Sequence, residues 1–321
     1  MYKIKFLLAA LTLALTGTTA ALAQGYPNRV IRIIVPFTPG GGNDVFARIV
    51  GQKLQERLGQ PVIVENKPGA GGNIGIDAVA KSAPDGYTLL LANNGFTTAP
   101  FLTKNLPFDV MKDLSPIGIG VSIPMALAVA NTIPVKTVPE LVSYAKANPG
   151  KLSYATPGLG TPHHLSMELF MSMTGTQFVQ IPYKGAATML TDLISGEVQV
   201  LNGALNSMLP YVQSGRIRII ALGTKHRNSI LKDVPTVAES VPGSEVGIWY
   251  GLMAPAGTPE DILAKLSREQ QAIVNLPDVR ERLAAQGFES FATSPATMRT
   301  TMKSEMEKWG KVIKDAGIKP E

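Results

Sequence analysis

From Arg29 onward the chain alternates short apolar runs of strand composition with stretches of helical period, and three of the strand-to-helix joints are glycine loops. Residues 30–36 form a continuous apolar run with Arg32 as its only charge, the pattern of a strand buried on both faces of a parallel sheet. A loop of Thr38, Pro39, Gly40, Gly41, Gly42, Asn43 and Asp44 follows, and then Val45, Ile49, Leu54 and Leu58 recur at near-helical spacing up to Gly59. Residues 62–64 predict a second strand, residues 68–72 a second glycine loop, 74–81 a short helix and 87–92 a third strand after the Pro84-Asp85-Gly86 turn. This strand-helix-strand-helix-strand order predicts an α/β sheet with right-handed crossovers.

The pattern then repeats. Thr137 and Glu140 have capping-box spacing at the start of a helix that stops at Asn148-Pro149-Gly150. Residues 152–155 are strand-like, 157–160 make a third glycine loop and 165–173 a helix. Residues 178–181, 186–194, 198–201 and 217–222 continue the alternation. From Gly257 the text is helical, with starts at Thr258-Pro259, Pro277 and Ser294-Pro295. A chain of 321 residues exceeds what one core ordinarily holds, so two lobes are expected. The helical tail should return to the first lobe, giving crossings near residues 117–125 and 245–253.

The first 23 residues read as a secretory signal: Lys3 and Lys5, an apolar stretch over 6–15, and Ala21-Leu22-Ala23 before Gln24. The apolar run is shorter than a bilayer span requires, and no Cys follows the cleavage site to carry a lipid. The expected product is a soluble exported protein, in the periplasm after cleavage behind Ala23. The signal carries two Lys and no acid, so the excess of basic over acidic side chains falls from six to four on its removal. No basic stripe interleaved with aromatics appears, which argues against nucleic acid; a mild positive field suits a small anion.

Zero cysteines exclude thiol nucleophiles, Cys-ligated zinc and iron–sulfur clusters. A glycine loop between strand and helix aims several backbone N–H groups and the helix's positive end at one point, a ready anion site, although a single such loop more often only permits a tight turn. No Walker lysine follows the glycines, and Ile74 stands where a dinucleotide fingerprint needs Gly or Ala. His163, His164 and His226 are the only histidines, and neither a Gly-x-Ser-x-Gly elbow nor a His-Glu-x-x-His pair occurs. His164 and Glu168 are spaced to meet on one helix face, but two ligands do not make a metal site. Asp44 reads as a loop organiser that favours the helix dipole and bonds loop N–H groups. Trp249 and Tyr250 either line a cleft or pack a core. No catalytic set, metal or cofactor is expected, and the profile is that of a binding module rather than an enzyme.

Taken together and in order, several segments resemble a family. They are Ile34-Val35-Pro36-Phe37-Thr38-Pro39-Gly40-Gly41-Gly42-Asn43-Asp44, Val64-Glu65-Asn66-Lys67-Pro68-Gly69-Ala70-Gly71-Gly72, Pro84-Asp85-Gly86-Tyr87-Thr88-Leu89, Pro149-Gly150-Lys151-Leu152-Ser153-Tyr154-Ala155, His164-Leu165, Ile181-Pro182-Tyr183-Lys184-Gly185, Pro235-Thr236-Val237-Ala238-Glu239 and Ala254-Pro255-Ala256-Gly257-Thr258-Pro259. The chain resembles the TctC/Bug family of solute-binding proteins of tripartite tricarboxylate transporters from Tyr26 to Ile318. The resemblance implies a type II periplasmic-binding-protein fold with a central ligand cleft and two interlobe crossings. Its expected lobes are 24–122 with 246–321, and 123–245. Phe37, Thr38, Gly41, Gly42, Asn43 and Asp44 of the first lobe would face a small carboxylate. From the second lobe, Thr156, Gly158, His164, Tyr183, Lys184, Gly185 and Asn202 would do so.

Where many relatives read Val-Asp-x-x-Phe-Asp, this chain has Val198-Gln199-Val200-Leu201-Asn202-Gly203. The missing second acid implies a ligand without a cationic amine: a dicarboxylate, tricarboxylate or aromatic carboxylate. Membrane subunits of the transporter would be the partners of a monomer. The competing readings are a component presenting its ligand to a sensor kinase and, more remotely, an exported hydrolase using Asp44 or His164.

Overall fold

The computed structural model describes residues 25–183, 186–227 and 231–320; the signal segment, Lys184 and Gly185 lie outside them. Strand β1 (Ile31–Val35) explains its own composition. Ile31, Ile33 and Val35 enter one core, with Phe46, Val50 and Leu54 of helix α1 (Gly42–Leu58), while Ile34 enters the opposite core, with Ile76 and Val79 of helix α2 (Asn73–Ala80). Helices therefore cover both faces, and only Arg32, paired with Glu65, escapes. β1 pairs in parallel with β2 (Val62–Asn66) on one side and β3 (Thr88–Asn93) on the other. Gly59 ends α1 in the left-handed region at φ 68°, where its N–H reaches Gln55 O, as its position in the sequence predicts.

Helix α3 (Gly95–Leu102) comes next, a short element with Pro100 inside it that hydrophobic periodicity does not reveal. The long strand β4 (Leu114–Ala130) then carries the chain across the molecule. Its residues up to Pro124 pair antiparallel with β9 (Gly247–Pro255), which also pairs with β3. From Met125 on, β4 pairs with β7 (Val200–Ala204) and β8 (Ile217–Leu222). Around β7 lies the second sheet, in which β5 (Ser153–Thr156) pairs in parallel with β6 (Val179–Pro182) and β7. Helices α4 (Val138–Ala147), α5 (Pro162–Thr174), α6 (Ala186–Ser195) and α7 (Leu205–Gln213) belong to this half. Thr137 Oγ1 accepts the Glu140 N–H at the start of α4, as the capping spacing predicts.

The result is a two-lobed α/β fold with two crossings. Residues 123–125 lead into the second lobe and 246–248 lead back, tied by Gly223, whose N–H donates to Met125 O and whose carbonyl accepts the Val246 N–H. Helices α8 (Glu260–Val274) and α9 (Pro277–Ala285) place Leu266, Ile273, Val279 and Leu283 on the first core. Helix α10 (Pro295–Asp315) does more than the expected return to the first lobe. Met298 and Met302 pack in that lobe, but Trp309, Val312 and Ile313 join Leu165 and Leu169 of α5 and the crossing residues Met125 and Val246. Among the described residues, no helix is long and apolar enough to cross a membrane.

The crossing strands are packed tightly enough to be probed. A Cβ on Gly251 would collide with the Gly118 carbonyl oxygen and come within 3.0 Å of Ile119 Cα, both fixed backbone. Gly251→Ala should lower unfolding free energy by about 2 kcal/mol, the range of core overpacking, measured by denaturant titration; an unchanged midpoint would contradict this packing.

Candidate functional site

A cavity of about 720 Å³ opens between the lobes. From the first lobe it is lined by Phe37 and Asn43 of the β1–α1 joint, by Ala70, Gly71 and Asn73 at the entry to α2, and by Asn93, Asn94 and Gly95 at the entry to α3. The second lobe contributes Leu159, Gly160, Thr161 and Pro162, and the returning strand contributes Ile248 and Tyr250. Three successive βα joints of the first sheet thus face one space, beyond the carboxyl ends of β1 and β3, where adjoining strands send their helices to opposite faces.

The starts of α1 and α2 have no side-chain cap. Uncapped starts occur elsewhere in the fold too, as at Pro259, so what sets these apart is their shared outlook on the cavity. Each presents the positive end of its helix to a potential anion, and α1 its first N–H groups as well, whereas before α2 the Gly72 and Asn73 N–H groups bond back to Gly69 O and Ala70 O in a 3₁₀ turn. The joint before α2 is strongly bent, with positive φ at Gly69, Ala70, Gly71 and Gly72 in succession.

Side-chain amides add an oriented donor. The Gly95 N–H donates to Asn93 Oδ1 at 2.8 Å, and Asn93 Nδ2 donates to Asn43 Oδ1 at 3.0 Å. This chain fixes the Asn43 amide with its oxygen turned to Asn93 and its Nδ2 available to the cavity. The Tyr250 ring lies against Gly42, where a Cβ would come within 2.9 Å of the hydroxyl, so glycine there lets the phenol reach the start of α1. Burial pushes the Tyr250 pKa up to about 12, which keeps the phenol a neutral donor.

Asp44 holds the first loop from below. Its carboxylate accepts from Arg48 Nε at 2.9 Å, Gly40 N at 3.0 Å and Asn66 Nδ2 at 3.0 Å. The Arg48 hydrogen bond leads, with those from Gly40 and Asn66, in lowering its pKa to about 2. Asn66 Nδ2 also reaches Phe37 O. Asp44 is thus engaged within the protein and does not line the cavity, while Thr38 and Gly41 are exposed on the same loop.

In the second lobe the expected ligand-facing residues are occupied with one another. The Gly158 N–H donates to Thr156 Oγ1, the Gly160 N–H to His164 Nδ1, and Thr161 Oγ1 donates to Gly158 O. With Nδ1 accepting, the proton of His164 lies on Nε2, 3.4 Å from Glu168 Oε1. Thr156, Gly158 and His164 build the loop and are absent from the lining; Tyr183 donates to Asp192 and Asn202 is buried, both also away from it. Gln199, in the segment that departs from the family pattern, accepts from the Ser153 N–H. No cluster of His, Cys, Asp or Glu fit to hold a metal occurs among the described residues.

The profile described as "Tripartite tricarboxylate transporter family receptor" matches residues 46–318. The chain belongs to this family. It is 37% identical over 311 residues to protein BugT of Bordetella pertussis, covering 96% of this chain and 95% of that one. Two solved structures from Rhodopseudomonas palustris share the fold. Rpa4515 with adipate is 36% identical with TM-score 0.79, covering 92% of this chain and all of that one. MatC with bound malate is 30% identical with TM-score 0.74, covering 90% of this chain and all of that one. TctC/Bug members are periplasmic solute-binding proteins and not enzymes, in agreement with the missing catalytic set.

In this TctC-family chain Asn93, Asn94 and Gly95 line the cavity although no glycine-loop motif marks them. The available signal was positional: Asn93-Asn94-Gly95 follows a strand where the other two joints have their glycines. Trp249 and Tyr250, adjacent in the sequence, divide between core and cavity. Tyr250 lines the cavity, whereas Trp249 is buried and donates its indole N–H to Glu305 at 3.0 Å, beside Thr97 of α3. Burial raises the Glu305 pKa to about 7, against the lowering pull of Trp249 and Lys308. The folded state therefore holds a proton that the unfolded chain releases near pH 4.5, so this group costs stability as pH rises from about 4.5 to 7. Glu305→Gln should melt higher than the parent at pH 8 and lose that advantage towards pH 5; parallel melting profiles would contradict the assignment.

Proposed function

We propose that this chain captures a small carboxylate between its two lobes and delivers it to the membrane subunits of a tripartite tricarboxylate transporter. One observation carries the reading: uncapped helix starts and the Asn43 amide face a single cavity whose described lining includes no charged side chain. A cationic ligand would have no carboxylate to pair with there, and a neutral one would leave the helix ends unanswered. A carboxylate meets both conditions, its charge held by backbone N–H groups instead of an Arg clamp. The adipate and malate in the two R. palustris relatives are of that class.

In this reading the lobes are 24–122 with 246–321, and 123–245, and they close on the ligand by flexing at 123–125 and 246–248. Phe37 and Asn43 would contact it directly, with Gly41, Gly42 and Asp44 shaping the loop that presents the N–H groups. The protein would work as a monomer in the periplasm, after removal of residues 1–23.

A thermal-shift screen of the mature chain against carboxylates tests the reading. A ligand at 100 times its dissociation constant adds about 2.7 kcal/mol, seen as a rise of several degrees. Asn43→Asp, nearly isosteric but negative where the anion should lie, should weaken binding by roughly hundredfold while the unliganded melting point changes little. Shifts produced by amines or sugars but not by carboxylates would refute the proposal.

A further inference from the structure

Tyr250 brings an unused donor to the start of α1. It stands directly opposite Asn93 in the pairing of β9 with β3, so both side chains leave the same face of the sheet. Asn93 holds the Asn43 amide, and the Tyr250 hydroxyl lies over Gly42, the first residue of α1. The register thus places the phenol and the Asn43 amide at one helix start, on the wall of the cavity. The ring is fixed between Phe46 and Phe288, with centroids 6.2 Å and 5.8 Å away. Tyr250 is only 7% exposed, yet among the described residues its hydroxyl has no hydrogen-bond partner. Nor is that hydroxyl sealed from solvent, as the orphaned Asn94 Oδ1 is. A tyrosine buried to this degree ordinarily finds a partner for its O–H, and here the cavity is where one can come from.

We propose that Tyr250 is a ligand-contacting residue, its O–H donating to one oxygen of the bound carboxylate while Asn43 Nδ2 and the first N–H groups of α1 hold the rest of the head group. The assignment rests on the carboxylate reading above and adds a side-chain donor to it. Both side chains are neutral, so what they supply is oriented hydrogen bonding, and an O–H bond to an anionic oxygen is among the stronger kinds. Burial, which pushes the phenol pKa up to about 12, keeps the donor proton in place throughout the neutral range. Because Tyr250 lies on β9 just past the crossing at 246–248, the same bond ties the ligand to the returning strand.

The test titrates acetate, adipate, malate and benzoate into the mature protein and into Tyr250→Phe, which keeps the ring contacts and removes only the hydroxyl. Acids that bind the parent should bind the variant about ten- to hundredfold more weakly. The unliganded melting point should stay at or slightly above the parent's, because the deleted hydroxyl had no partner. The carbon-13 signal of tyrosine Cζ supplies a readout that a merely structural role would not move. Of the described tyrosines only Tyr250 lines the cavity, so binding should shift one such signal in the parent, and that signal should be missing from the variant. Should the variant not fold, as judged by circular dichroism, the spectrum of the parent still decides. An acid that binds without moving a tyrosine signal, or that binds parent and variant equally, would have its head group elsewhere, as at the opposite wall of Leu159 and Thr161. That result would overturn this inference and leave the carboxylate reading intact. Binding of none of the four acids would overturn both.

Discussion

A helix start carries N–H groups that the helix cannot satisfy, and a fold must cap them, hydrate them or use them. In the first lobe the joints after β1, β2 and β3 bring that problem to one place, because parallel strands deliver their helices to the same edge of the sheet. Two of those starts, at Gly42 and Asn73, have no side-chain cap, and the third is met by Asn93, which in turn orients Asn43. The polarity of the cavity thus comes from chain direction and loop conformation. Asp44 keeps this arrangement in place: its carboxylate faces Arg48, Gly40 and Asn66 and leaves no negative charge toward the cavity.

The second constraint is mechanical. One strand, β4, serves both sheets, so movement between the lobes must be absorbed where its partner changes from β9 to β7 and β8. Helix α10 is a further link between the lobes. Its Trp309, Val312 and Ile313 are buried with Leu165 and Leu169 of the second lobe, while its earlier turns are fixed in the first. Asn94 adds a direct link between site and crossing, since it lines the cavity and donates to Gly247 O at 2.8 Å. Glu305 reaches the same region through Trp249 and Thr97, so the joint before α3 and the returning strand share one buried polar cluster.

Much of this was legible in the sequence. The apolar run around β1 announced a strand covered on both faces, Gly59 and Thr137 marked helix ends, and all three glycine loops lie beside the cavity. Helix α3 was not legible, because Gly95, two threonines and Pro100 carry no helical signature; Thr97 and Thr98 instead stabilise it by bonding back to Asn94 O and Gly95 O. Helix α7 was hidden for a similar reason, with Pro210 inside it. In the second and third loops some N–H groups are already bonded, those of Gly72 and Asn73 to loop carbonyls and those of Gly158 and Gly160 to Thr156 and His164, which spacing does not disclose.

The central claim is that backbone N–H groups of the first lobe hold the ligand's charge. Residue-resolved hydrogen exchange, with and without a saturating carboxylate, addresses it most directly. The account predicts slower exchange at the amides of 42–44 and 71 on binding, with little change at Gly72, Asn73, Gly158 and Gly160, whose N–H groups are already bonded within their loops. Protection confined to the second-lobe loop, with the amides of 42–44 and 71 unaffected, would contradict it.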